Sequence, residues 1–271
     1  MGSRTTLLFG ICLAVVTGCG AQATAISIPP SSSGTLTVFA AASLTEAFTE
    51  IGQEFKVDHP GVTVMLNLAA SQALSQQLGE GAPADIFASA NAKEMNNAIA
   101  AGRVADGSQR TFAHNKLVVI YPRDNPAKLA KLQDLANPGL KLVLAAAEVP
   151  VGKYSVEFLE KASQDAAFGV TFKDAVLKNV VSYEENVKAV LTKVVLGEAD
   201  AGIVYLTDIR LESADKVGRL DIPDALNAVA TYPIAVVSNA EQPELAQAFL
   251  DLLLSAQGQE VLAKHGFLPA D

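Results

Sequence analysis

The chain of 271 residues has no tryptophan, two cysteines and three histidines. Both cysteines, Cys12 and Cys19, lie near the start, so everything beyond them is without disulfides or thiol chemistry. His59, His114 and His265 are scattered, with no His-x-x-x-His spacing and no cysteine beside them, which removes the usual signs of a zinc site. No glycine pattern matches a P-loop, a dinucleotide fingerprint or a nucleophile elbow. The carboxylate pair Glu184-Glu185 is adjacent rather than facing and reads as a solvated turn. No Lys/Arg cluster offsets the net charge of −9, which disfavours nucleic acid as a partner. The same acidic balance opposes long-range attraction of an anion, so an anion would have to be drawn by local dipoles. Past the first residues no apolar run is long enough to be a transmembrane helix.

What is present begins with a leader. Arg4 is a short basic region and Leu7 to Val16 an apolar stretch too short to span a bilayer in the mature protein. It ends in Val16-Thr17-Gly18-Cys19, which resembles the lipobox of bacterial lipoproteins. That resemblance implies a signal peptide over 1–18, cleavage before Cys19 and lipid attachment to its thiol. The competing reading is an ordinary signal peptide cut after Ala23 or Ala25. Residues 19–34, rich in Ser, Pro and Ala without periodicity, read as a flexible tether.

From Thr35 strand and helix patterns alternate. Half of the residues are hydrophobic and 18% charged, enough for a large domain or two lobes with separate cores. Leu36–Ala41, Val62–Leu68, Asp85–Ala90, Lys116–Tyr121, Leu140–Ala146, Asn179–Ser182, Ala201–Tyr205 and Val229–Val237 read as strands, the last interrupted by Pro233. The spacing predicts helices over 44–57, with Leu44, Phe48, Ile51 and Phe55 on one face, and over 71–78, 92–101, 154–162, 172–177, 187–196, 243–254 and 258–265. Alternating units of this kind predict an α/β fold with mainly parallel sheets flanked by helices. Ligands of such sheets sit at the C-terminal ends of strands, beside helix N-termini.

Several such ends carry neutral donors. Ser43 precedes a helix, in capping-box spacing with Glu46, where it is either a plain cap or an anion donor. Ser71 opens the second helix with the same two readings. Val149-Pro150-Val151-Gly152-Lys153-Tyr154 is a helix entry whose amides could face a cleft, or a simple loop. Glu185-Asn186-Val187 opens another helix, with Ser182 as a competing cap. Tyr205 ends a buried strand, where a tyrosine is commonly a packing residue. Ser43 lacks an evident base nearby in sequence, which leaves a serine hydrolase as a remote alternative.

The strings Val38-Phe-Ala-Ala-Ala-Ser-Leu-Thr45, Gly81-Ala-Pro-Ala-Asp-Ile-Phe87, Gly202-Ile-Val-Tyr205 with Asp208, and Gly266-Phe267 resemble the molybdate-binding proteins of bacterial ABC importers, over Thr35 to about Pro269. The resemblance implies a two-lobed type II periplasmic-binding-protein fold with the ligand cleft between lobes. Lobe 1 would span 35–115 plus 234–271 and lobe 2 would span 116–233. It implies hydroxyl contacts to the anion from Ser43, Ser71 and Tyr205 and backbone N–H contacts from Val151 and Val187. It implies molybdate or tungstate as ligand, no cofactor, no enzymatic activity and a membrane permease as partner. The protein would be a monomer, held extracytoplasmically at the cell membrane by lipid alone. A sulfate or other oxyanion receptor of the same fold is the alternative. The family often has a serine run at the second site, whereas Ala70-Ser71-Gln72-Ala73 offers Ser71 as the obvious hydroxyl.

Overall fold

A computed structural model describes residues 1–2, 33–209 and 214–270. The expected signal peptide, Cys19 and nearly all of the tether lie outside the described residues. The chain divides into Met1–Ser31 and Ser32–Asp271, and the architecture below is that of the second unit.

Among the described residues there are two sheets. Strands β1 (Gly34–Ala41), β2 (Val62–Ala69), β3 (Ile86–Ala88), β4 (Arg110–Asn115), β10 (Ala230–Val236) and β11 (Leu268–Pro269) form one, in the order β11-β4-β10-β3-β1-β2. Strands β5 (Leu117–Pro122), β6 (Leu142–Ala145), β7 (Val180–Glu184), β8 (Ala201–Tyr205) and β9 (Val217–Asp221) form the other, in the order β7-β6-β8-β5-β9. Each sheet has a parallel nucleus, β2-β1-β3 and β7-β6-β8 respectively. Each is extended by antiparallel strands on one side. The antiparallel members adjoin the two crossings. The chain passes from β4 straight into β5 through Lys116, and from β9 back to β10.

The return to the first sheet begins at Ala230, ahead of the boundary expected at 234, because β10 lies wholly in that sheet. Pro233 caused the difference in reading. It has no N–H to give a central ladder, and the pairing with β4 absorbs it by a one-residue slip between Tyr232 and Pro233, with Phe112 left over. Strands β4, β9 and β11 were not expected. The first two mix polar and apolar residues without clean alternation, and β11 has two residues.

Helices follow the strands. A single 3₁₀ turn, Ala42–Leu44, leads into α1 (Thr45–Asp58) after β1. Then come α2 (Ser71–Gly79), α3 (Ala92–Ala100), α4 (Pro150–Gln164), α5 (Phe172–Lys178), α6 (Val187–Val195), α7 (Pro243–Leu254) and α8 (Ala256–Lys264). The apolar face of α1 is buried as its spacing predicts. Phe48 and Phe55 pack against Phe249 of α7 at ring distances of 6.0 and 5.4 Å, which ties the C-terminal helices to the first sheet. Helix α4 begins at Pro150 rather than at 154. Proline is favoured in the first helical turn, and Val149 supplies the extended cap position. Among the described residues no helix is long and apolar enough to cross a membrane.

Candidate functional site

A cavity with about 20 Å³ of room for water centres lies where the strand ends meet. Its walls come from the residues just past β1, β2, β3, β6 and β7 and from the last residue of β8. Both sheets therefore contribute, at the C-terminal ends of their parallel strands, as the general rule for open α/β sheets requires. Room for one water needs roughly 10–15 Å³ on this measure, so the space suits one small compact group and not a sugar or peptide. Ser43, Ser71, Val151, Val187 and Tyr205 all line it. All five are buried.

The polar hydrogens of these residues point to one use. Ser71 Oγ accepts the Ala90 N–H at 2.9 Å, which leaves its own hydrogen without a protein acceptor. Ser43 Oγ lies 2.9 Å from Tyr232 Oη. Tyr205 Oη is buried and, among the described residues, has no partner at hydrogen-bonding distance and angle, although the Tyr232 phenol lies beside it. Burial pushes the Tyr205 phenol well above its ordinary pKa, so it remains a donor. A buried unpaired hydroxyl costs roughly 1–3 kcal/mol, and one that lines a cavity is where a ligand acceptor is accommodated.

Helix starts add backbone donors. The first N–H groups of a helix have no intrahelical acceptor. The cap positions of the 3₁₀ turn, α2 and α4 are Ala41, Ala70 and Val149, none of which supplies a side-chain cap. Val151 lies in the first turn of α4, which places its N–H among these free groups. In α6 the Asn186 side chain accepts the Ala189 N–H, and the N–H of Val187 is left over. Together with the aligned peptide dipoles, these ends make the cavity electropositive without a cation.

Among the described residues no lysine or arginine lines the cavity. Lys188, next to Val187, is turned away from it. Its Nζ lies 2.8 Å from Glu46 Oε1 and 3.1 Å from Asp208 Oδ1. Asp208 Oδ2 accepts the Tyr205 N–H at 3.1 Å and so fixes the end of β8.

Three local readings are corrected. The capping box of Ser43 and Glu46 does not form, because the 3₁₀ turn moves the start of α1 to Thr45 and places Ser43 inside the turn. Ser71 is the first helical residue and not the cap, and its hydroxyl serves the loop after β3. Asn186 rather than Ser182 caps α6, while Ser182 lies in β7 and bonds Glu184. Sequence reasoning missed Tyr232 and Asn115 as neighbours of the site. The one signal for Tyr232 was the proline after it in a β-branched run, a mark of a bulge that re-aims a side chain.

Residues 36–268 match the family model for bacterial extracellular solute-binding proteins. The chain is 38% identical to the molybdate-binding protein ModA of Mycobacterium bovis over 269 residues, 98% of each chain. Among solved structures it superposes on the periplasmic molybdate-binding protein of Azotobacter vinelandii with a TM-score of 0.74 at 19% identity, covering 87% of this chain and 100% of that one. It also superposes on the sulfate-binding protein SubI of Mycobacterium tuberculosis with a TM-score of 0.77 at 21% identity, covering 88% and 87%. At such identities the two structures speak to the fold alone.

Proposed function

The chain belongs to the bacterial extracellular solute-binding proteins, in the branch of the molybdate-binding ones, and from that membership we propose that it is the receptor of an ABC importer and closes its two lobes over molybdate. Its fold is the two-lobed type II periplasmic-binding fold. Ser43, Ser71 and Tyr205 donate hydroxyl hydrogens to the anion, and Val151 and Val187 donate backbone N–H groups. The observation that carries this reading is the Tyr205 hydroxyl, buried and unpartnered at a cavity rimmed by hydroxyls and helix starts.

The chemistry is that of a donor-only pocket. A deprotonated tetrahedral dianion presents acceptors on every face. Hydrogen bonds to a charged group contribute roughly 1.5–3 kcal/mol each and helix N-termini roughly 0.3–1 more. After the cost of association, several of them support an affinity between about micromolar and nanomolar. Hydrogenphosphate carries a proton that needs an acceptor and is disfavoured. Sulfate has the charge of molybdate in a smaller body and is disfavoured by fit, whereas tungstate is its near equivalent. The sulfate-binding neighbour shares the fold without close sequence similarity, so molybdate is the better reading.

The anion is cargo, and no cofactor or catalysis is invoked. The partner of Ser43 is the Tyr232 phenol, whose pKa burial pushes up, so it is not a base that could activate a serine nucleophile. We place the protein outside the cytoplasmic membrane as a monomer, anchored by lipid on Cys19 and docking on a membrane permease. Calorimetric titration tests the central reading. Molybdate and tungstate are expected to bind at one site with micromolar or tighter affinity, and sulfate and hydrogenphosphate far more weakly. No binding of molybdate at millimolar concentration would overturn it.

A further inference from the structure

Ser43 is held from behind by a chain of polar groups that do not line the cavity. Asn115 Oδ1 accepts the Lys116 backbone N–H at 2.9 Å. A backbone N–H can only donate, so this bond settles which end of the amide is oxygen. Asn115 Nδ2 then faces Thr207 Oγ1 at 2.8 Å and Tyr232 Oη at 3.4 Å. The amide nitrogen has hydrogens and no acceptor, so the phenol oxygen must accept from it. The Tyr232 hydrogen is directed to Ser43 Oγ, 2.9 Å away, while the Tyr205 phenol lies beside it as a third polar neighbour. Ser43 therefore accepts from behind, and its own hydrogen is left to the cavity.

The direction of this chain is not reversible at low cost. If Ser43 turned to accept from a ligand and donated to Tyr232, the phenol hydrogen would face the Asn115 amide hydrogens. Asn115 and Tyr232 are wholly buried, so that hydrogen would have no water to turn to and only the neighbouring Tyr205 oxygen, which would draw that phenol away from the cavity. Burial also raises the Tyr232 pKa, so the phenol does not escape the conflict by ionising.

We propose that Tyr232, oriented by Asn115, is a specificity-determining residue: it occupies one Ser43 lone pair from behind, turns the Ser43 hydrogen into the cavity and so favours tetrahedral oxyanions that carry no proton. This rests on the reading of the cavity as an oxyanion site and deepens it. The bulge at Tyr232 and Pro233 belongs to the device, since the slip in register falls at the residue whose phenol meets Ser43.

Sulfate and hydrogenphosphate make a clean test, because they match in charge and nearly in size and differ by one proton. The Tyr232→Phe variant keeps the ring, and a thermal melt checks that it is folded. Competition calorimetry on wild type and variant would read molybdate, sulfate and hydrogenphosphate separately. Releasing the Ser43 hydroxyl from its fixed orientation is expected to weaken molybdate and sulfate by up to about tenfold. Hydrogenphosphate is expected to weaken less or to gain, because the released Ser43 can accept its proton, so the sulfate preference narrows by about threefold or more. An Asn115→Leu variant, which frees the phenol to turn, is expected to narrow the same ratio. A melted or loosened pocket would weaken all three anions alike, and a ratio unchanged within about twofold in the folded variants would overturn the proposal. Wild-type binding of molybdate reports separately on the functional reading, since the sulfate-to-hydrogenphosphate ratio is measurable for any oxyanion site.

Discussion

Lys188 Nζ of α6 lies 2.8 Å from Glu46 Oε1 of α1, an ion pair that joins the two lobes beside the cavity. The same ammonium stands 3.1 Å from Asp208, whose side chain is fully buried. The two carboxylates differ in what they lose without Lys188. Glu46 is 41% exposed and can return to water, whereas Asp208 cannot. Lys188→Met is therefore expected to destabilise the fold by about 3–5 kcal/mol, and Glu46→Gln by less than about 1 kcal/mol. Desolvation already raises the Asp208 pKa, and removing the cation raises it further. A carboxyl with a raised folded pKa stabilises the fold at low pH and loses that contribution as pH rises through it. The deficit of Lys188→Met against wild type should thus shrink on acidification from about pH 8 to about pH 5. Urea unfolding at the two pH values checks this, and a constant deficit would contradict it. Glu46→Gln should instead weaken anion affinity, because the bond it loses forms between lobes.

Tyr205→Phe separates binding from folding. The hydroxyl has no partner at hydrogen-bonding geometry among the described residues, so its removal breaks at most a weak contact with the Tyr232 phenol and relieves a buried unpaired group. Thermal stability without ligand is expected to stay the same or rise. Molybdate affinity is expected to fall by about 1–3 kcal/mol, roughly five- to 150-fold. A loss of stability with unchanged affinity would assign the phenol to packing.

Gly152 tests the backbone donors of α4. A Cβ built there would collide with Ala146 O and Ala145 O, backbone atoms at the end of β6 that cannot swing aside. Gly152→Ala must push the first turn of α4 away from the sheet and carry the Val151 N–H with it. Affinity should drop by about tenfold or more, with stability lowered by about 1–3 kcal/mol. Val151→Ala is the contrast, since it trims a buried side chain but keeps the amide. It should lower stability by about 1–2 kcal/mol and leave affinity within a few-fold. Equal affinity losses in the two variants would contradict a backbone contact.

The parts of the site that were legible in sequence are those tied to local grammar. A strand end followed by a helix start marks a cavity wall; Ser43, Ser71 and Val187 stand at such junctions and Tyr205 ends a strand. The start of α4 was read late because Gly152 and Lys153 hide its periodicity, although Pro150 was the available signal. What local grammar cannot give is contact across the chain. Tyr232 meets Ser43 over 189 residues and Lys188 meets Glu46 over 142, and neither pairing leaves a trace in spacing. The return crossing was expected at 234 rather than ahead of Ala230 for the same reason. A strand belongs to whichever sheet it pairs with, and Pro233 concealed that β10 pairs on both sides with the first.

Alkaline stability should reveal the buried phenols around the cavity. Burial raises the pKa of Tyr205 well above its ordinary value, raises that of Tyr232 likewise, and pushes Tyr154 up to about 12. An unfolded phenol ionises near about 10. Below that pH both states hold the protons and stability does not depend on these groups. Above it the unfolded chain releases them while the folded protein retains them, so stability falls as pH rises. Each phenol adds at most about 1.4 kcal/mol per pH unit to that slope. Urea midpoints are expected to be level between about pH 8 and 9.5 and to fall steeply toward about pH 11. Tyr205→Phe should remove one phenol's share of the slope and leave the level region unchanged. If its alkaline slope equalled that of wild type, Tyr205 would be ionising in the folded protein, and a neutral donor at the cavity would be untenable there.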